Sequence, residues 1–332
     1  MLLEFDADQR LWQHTVRDAI AKQCPPSLVR AVADDGVDPS PLWNVYVELG
    51  WTELHEPASA VELAIVFEEL GRATDPSPFL ATMSQFAPLA WGHFDPHQSG
   101  AAAYNGVSAH RDADGWVLDG SARHVLDGDR ADKLAVVTDA GVFIVGSDQV
   151  SARRCAVFDP VLHVADLSFC GVRVPDSVRV TADRERAHHV ALTGMAMTMV
   201  GACQRILDLV LEHVRSRHQF GVPIGSFQAV QHKAADMHVA VERARALAYY
   251  AALTIAADDP RRRLAAAMAK ASAGECQSLV FRHGLQLFGA MGFTWENDLQ
   301  FALKRAKAGE LMLGGAAEHR ARIAEEYRAA DF

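Results

Sequence analysis

The chain has 332 residues, half of them hydrophobic, and a formal net charge of −10. That length is ample for a sizeable core and predicts two or three domains rather than one. An acidic chain with no basic tract is a poor match to a phosphate backbone, which argues against nucleic acid as a partner.

The N-terminus, Met1 to Asp6, has no basic stretch followed by an apolar one, so no signal peptide is read. Residues 1 to about 92 read as helical. Trp12, Val16 and Ile20 recur at helical spacing after Asp6 and Asp8, either of which can cap. Pro25-Pro26 is expected to stop this helix. A second helix is predicted near Pro41 to Leu49, and a third from about Ser59 to Gly71.

The pattern changes between about 100 and 182. Short β-rich runs alternate with turn signals at Asp119-Gly120, Asp127-Gly128 and Asp139-Ala140-Gly141, which predicts an antiparallel sheet or small barrel. From about 184 the pattern is helical again, with helices predicted near 185–217, 227–257, 261–288 and 299–328. Four long helices with short links predict an antiparallel bundle. The longest apolar stretch, around Val190 to Val210, is interrupted by Thr193, Thr198, Gln204 and Arg205 and falls short of a membrane span. Cys24, Cys155, Cys170, Cys203 and Cys276 are odd in number and widely spaced, so neither a disulfide framework nor a zinc site is indicated. The expectation is a cytoplasmic protein with no membrane partner.

One stretch carries a specific resemblance. Arg217-His218-Gln219-Phe220-Gly221 through Phe227-Gln228 matches R-x-x-F-G-x-x-[IL]-x-x-[FH]-Q, continued by Lys233, Ala235, Asp236 and Met237. Four further segments agree in order. They are Gln286 to Phe293, Gly171 to Pro175, Gly120 to Asp132, and Glu68-Glu69-Leu70-Gly71-Arg72. Together they resemble the acyl-CoA dehydrogenase family across nearly the whole chain.

The resemblance implies an α+β, mostly helical fold. It would comprise an N-terminal helical domain (1–95), a central antiparallel β-barrel (96–183) and a C-terminal four-helix bundle (184–332). It also implies FAD as cofactor and an acyl-CoA thioester as substrate, with a carboxylate taking the α proton while the flavin takes the β hydride. By the same resemblance, Arg217, Phe220, Gln228, Gln286 and Gly289 would reach the FAD of a neighbouring subunit. Each of these residues alone has an ordinary structural explanation; the set in family order points to a site. Ala290 replaces a second glycine found in many members.

The other half of a flavin site is eroded. Tyr104 to Ala109 stands where the family has T-E-P-x-A-G-S-D, and His124 and Leu126 stand where a tryptophan and a threonine contact the ring. A P-x-x-[YF]-G-G-x-G loop is reduced to His55-Glu56-Pro57-Ala58. The family's catalytic glutamate falls on Leu313, and its alternative position falls on Ala191; neither side chain accepts a proton. Glu310, three residues before Leu313, is a displaced candidate, while Glu242 and Glu318 read as solvated charges.

Three functions follow as alternatives. The first is a subunit of a heterotetrameric dehydrogenase of the kind that acts on steroid-derived CoA thioesters, beside a homologous base-carrying chain. The second is a self-sufficient homomer using Glu310. The third is a flavin-free scaffold or acyl-CoA-binding protein, against which the joint retention of Arg217, Phe220, Gln228 and Gln286 argues.

Overall fold

The computed structural model describes residues 5–330. The chain opens with helices α1 (Ala7–Gln23), α2 (Pro26–Asp35), α3 (Ser40–Glu48), α4 (Ala60–Ala73) and a short α5 (Phe79–Ala81) that runs into a π-helical turn at Thr82–Phe86. Eight strands follow: β1 (Gly100–Ala103), β2 (Val107–Asp112), β3 (Gly115–Leu126), β4 (Lys133–Thr138), β5 (Gly141–Gly146), β6 (Ser151–Arg154), β7 (Val164–Val174) and β8 (Arg179–Val180). Helix α6 (Arg184–Ser216) leads to a two-strand hairpin, β9 (His218–Gln219) and β10 (Val222–Pro223). The chain ends with α7 (Gln228–Ala256), α8 (Arg262–Phe288), α9 (Leu299–Leu311) and α10 (Ala316–Ala330). This is the mostly helical order expected, with sheets in the middle.

Local chemistry explains most boundaries. Asp6 caps α1 in a capping box with Gln9, each side chain meeting the other's backbone N–H. Helix α2 was not expected. Pro25 stays extended, as a residue before proline must, and Pro26 then opens a new helix where its missing N–H costs nothing. The predicted last helix is two helices. Leu313 and Gly314 both have positive φ, 57° and 87°, which breaks the hydrogen-bond ladder between α9 and α10. Asp119-Gly120 is not a turn: β3 runs straight through it with a register shift, and Gly120 at φ 131° lies against the Gly106 backbone, where a Cβ has no room. Asp139-Ala140 does close the β4–β5 hairpin, with Thr138 paired to Gly141.

The chain divides into two compact units. One comprises residues 38–56 and 76–191. Its strands form two four-stranded sheets, β1-β4-β5-β8 and β2-β3-β7-β6, antiparallel throughout except for the parallel pair β1–β4. Alternate residues of both sheets, among them Leu118, Leu134, Phe143, Leu167 and Phe169, meet in one core.

The other unit comprises residues up to 37, residues 57–75 and residues from 192 onward. Its core is built by α6, α7, α8 and α9 through Val200, Ile206, Val210, Met237, Val241, Val280 and Leu303. Within it α4 and α6 touch backbone to backbone. A Cβ on Gly71 would strike the Thr198 carbonyl, and one on Gly201 would strike that of Glu68. An 18-residue window of α6 reaches a mean hydropathy of 1.3, enough by length and composition for a membrane span, yet 83% of that window is buried inside the protein. Its apolarity is that of a core helix.

Candidate functional site

The residues matched by the arginine and glutamine motifs assemble at one end of the helical unit. Helices α6 and α8 end there and α7 begins there. The rings of His213 on α6 and Phe288 on α8 stack at 4.4 Å with 13° between their planes. Arg217 follows His213 by one turn, its N–H bonded to the His213 carbonyl at 2.8 Å. Gln286 and Gly289 flank Phe288. Gln228 is the first residue of α7.

The β9–β10 hairpin projects from this end. Phe220 and Gly221 are its two tip residues, at φ 54° and 80°, as a two-residue hairpin turn of the primed type requires. Ile224 N–H donates to the Arg217 carbonyl at 2.8 Å and closes the loop. A phenylalanine at positive φ is uncommon, and this one is 93% exposed, touching Phe227 edge-on at 6.1 Å. The fold thus holds an aromatic ring out in solvent at a conformational cost. Gly289 has φ 60° and ψ −142°, a region reserved for glycine, and a Cβ there would meet nothing within 4 Å. Its glycine is demanded by the backbone path, which leaves the surface beside it open.

The end is rich in donors. Arg217, Gln228 and Gln286 are exposed, and among the described residues none uses its side chain in a hydrogen bond or ion pair. Helix α7 has no side-chain cap, and although its Val230 and Gln231 N–H groups turn to the Phe227 carbonyl, its first N–H groups, those of Gln228 and Ala229, precede that bonding. Burial, then the nearby Arg217 charge, holds His213 below the usual imidazole range. Burial, then Lys233 and Arg282, does the same to His283. A positive, donor-rich surface beside an exposed ring fits a nucleotide's pyrophosphate and base.

The positions that would face a flavin ring lie in the other unit. Leu126 is buried, and His124 is exposed in a β-bulge at φ 55°, its N–H bonded to Asp166 at 3.2 Å. The Tyr104 hydroxyl is buried without a partner, and burial pushes its pKa up. Ala191 is fully buried on α6.

Leu313 lies in the α9–α10 break, and three buried or half-buried polar side chains grip its turn. His319 Nε2 donates to the Leu313 carbonyl at 2.8 Å, and Lys270 Nζ donates to that of Gly314 at 2.7 Å. Glu310 accepts the Ala316 N–H at 2.9 Å, and its other oxygen is buried without a partner, beside Gly274. Burial pushes Lys270 down to about 8, with Glu310 and Glu318 opposing. Glu310 therefore acts as a cap for α10. Gly274 precedes Gln286 by 12 residues on α8, about 18 Å along the axis, so this cluster is not joined to the Arg217 end. Lys270 and His319 were not anticipated. The readable signal was a lone lysine in the alanine-rich run of α8. Glu242 and Glu318 are exposed and pair with Arg245 and Arg322.

The Glu-Glu-Leu-Gly-Arg segment is a packing device. Arg245 and Tyr249 hold Glu68 at 2.8 and 2.7 Å, Arg17 holds Glu69 at 2.6 Å, and Arg72 holds Asp208 at 2.6 Å.

Known proteins resemble this chain over nearly its whole length. The family described as acyl-CoA dehydrogenase, C-terminal domain, matches residues 185–327. Acyl-CoA dehydrogenase IpdE2 of Mycobacterium tuberculosis is 32% identical over 330 residues, covering 96% of this chain and 97% of that protein. The ChsE4-ChsE5 complex of the same organism contains a chain that superposes with a TM-score of 0.88 at 22% identity, covering 99% of both chains. The Tcur3481-Tcur3483 steroid ACAD superposes at 0.85 with 24% identity, covering 98% of both chains. With a relative 32% identical over nearly the full length of both proteins, this chain belongs to the acyl-CoA dehydrogenase family.

Proposed function

We propose that this chain is one subunit of a heteromeric, FAD-dependent acyl-CoA dehydrogenase that introduces a double bond α,β to the carbonyl of an acyl-CoA thioester. Its substrate class is the steroid-derived thioesters, a reading supported by the steroid and two-component names among its structural neighbours. A homologous partner chain supplies the base and the ring pocket. The observation that carries the proposal is an asymmetry. The donor set at the Arg217 end is whole and exposed, while Leu313 occupies the base position and Glu310 is committed to α10.

When bound, the flavin supplies the hydride acceptor. The residues of this chain hold and orient it. Arg217 and the Gln228 and Ala229 N–H groups of α7 would meet the diphosphate charge, the Gln228 and Gln286 amides would fix its register, and Phe220 would offer an apolar face to the adenine end. No group at Leu313 moves a proton, so removal of the α proton falls to a carboxylate of the partner.

The test is purification of this chain alone and after co-expression with a base-carrying homologue. The chain alone should be nearly colourless and inactive, and the complex yellow and active. Yellow, active protein from this chain alone would overturn the proposal.

A further inference from the structure

The helical unit contains a cavity of about 350 Å³, walled by α1, α2, the end of α4, Arg205 of α6 and the start of α9. That volume lies at the low end of the range for small-molecule sites, about 300–1,000 Å³. None of the residues assigned above to flavin or base lines it.

Its charges do not balance. Arg17, Arg72 and Arg205 face two carboxylates, Glu69 and Asp298. Arg17 occupies both oxygens of Glu69. Arg72 turns to Asp208 at 2.6 Å, and the second oxygen of Asp208 takes the Gln204 amide at 2.9 Å. Asp298 is taken by Arg30 at 2.6 Å. Each of these three carboxylates is therefore engaged. Arg205 is half-buried and has no hydrogen-bond or ion-pair partner among the described residues. Ile20, Val29 and Phe301 supply an apolar wall. A guanidinium half withdrawn from water beside apolar surface and without a partner is an incomplete arrangement, because the buried part of such a charge is favourable only when it is paired.

We propose that this cavity is a second ligand site, taking a small monocarboxylate with an apolar body, with Arg205 as its anchor. The planar fork of Arg205 matches a carboxylate, and the apolar wall receives the hydrocarbon. Among the lining groups the surplus is a single positive charge, so a dianionic phosphate would leave one negative charge facing Glu69 and Asp298. The site is independent of the flavin reading, since it shares none of those residues.

Isothermal titration of the full chain with sodium hexanoate tests this, with hexanol and inorganic phosphate as parallel arms. Hexanoate should bind saturably at one site, at least tenfold more tightly than either other probe. Arg205→Met should weaken hexanoate at least tenfold with the far-UV circular dichroism unchanged. Absence of hexanoate binding, equal binding of hexanol or phosphate, or unchanged affinity in the variant would overturn the proposal. Should Arg205→Met fail to fold, Ala21→Trp decides. Ala21 is exposed and lines the cavity, so an indole there fills the space from outside. Loss of hexanoate binding supports the site, and retained binding overturns it.

Discussion

His213 lies flat against Phe288, ring centroids 4.4 Å apart, and this stack joins two segments 75 residues apart in the chain. It pins the end of α6 to the end of α8, so that Arg217 and Gly289 open onto one surface. No single helix could present the set, because its members come from three helix ends and a hairpin.

Arg217→Ala should lower FAD retention in the assembled complex without changing assembly. A charge-assisted hydrogen bond is worth about 1.5–3 kcal/mol, so affinity should fall by about tenfold or more. The flavin-to-protein ratio of gel-filtered complex checks this. An unchanged ratio would mean that Arg217 is only a charge at a helix end.

Glu310→Gln should leave turnover of the assembled complex unchanged, because the amide can still accept the Ala316 N–H. The chain should lose stability, since Lys270 loses the nearby negative charge that favours its proton. Turnover and urea midpoint, measured on the same preparation, separate the two effects. Loss of turnover with normal assembly would make Glu310 the base.

Gly201→Ala should be among the most damaging single methyl additions. The new Cβ meets the Glu68 carbonyl, a rigid backbone atom, so α4 and α6 must separate. Overpacking of this kind costs about 1–3 kcal/mol. A urea midpoint equal to that of the unsubstituted chain would show that the helices are free to shift.

Acidification should destabilise the chain. Burial lowers the folded pKa values of His213, His283 and His319 below the ordinary value of 6.5. Below 6.5 the unfolded chain binds more protons than the folded one, so stability is complete above 6.5 and is lost as pH falls through the lowered values. His319 shows the cause. Its Nε2 must carry the hydrogen to bond the Leu313 carbonyl, so acid would place a charge at Nδ1, which is buried and without a partner. Urea unfolding at pH 7.5 and 5.5 should show the drop, and His319→Gln should reduce it. Equal stability at both values would refute the argument.

Local features of the candidate site were legible from residues alone. The restart of a helix near 227 and the helix end at Phe288-Gly289 read from spacing and from glycine, whereas the hairpin tip at Phe220-Gly221 did not, because phenylalanine rarely takes positive φ. These depend on φ preferences and lost donors, which act within a few residues. Errors arose where neighbours outvoted local signals. Asp119-Gly120 reads as a turn, yet pairing to β2 and β7 on both sides carries the strand through it. The apolar spacing from 299 to 328 reads as one helix, yet His319, Lys270 and Glu310 grip a break at Leu313-Gly314. Pro25-Pro26 does stop α1, and Pro26 also opens α2, which the local signals did not reveal.

The sequence by itself determined the family, the order of helices and strands, and the absence of a carboxylate at Leu313, because these rest on residue identity and short-range periodicity. Only the tertiary structure decided the rest. It joined Arg217 to Gly289 through His213 and Phe288, turned Glu310 into a cap for α10, and left Arg205 without a carboxylate among the described residues. Each is a matter of which side chains meet across distant segments, and packing in three dimensions, rather than spacing along the chain, sets those meetings.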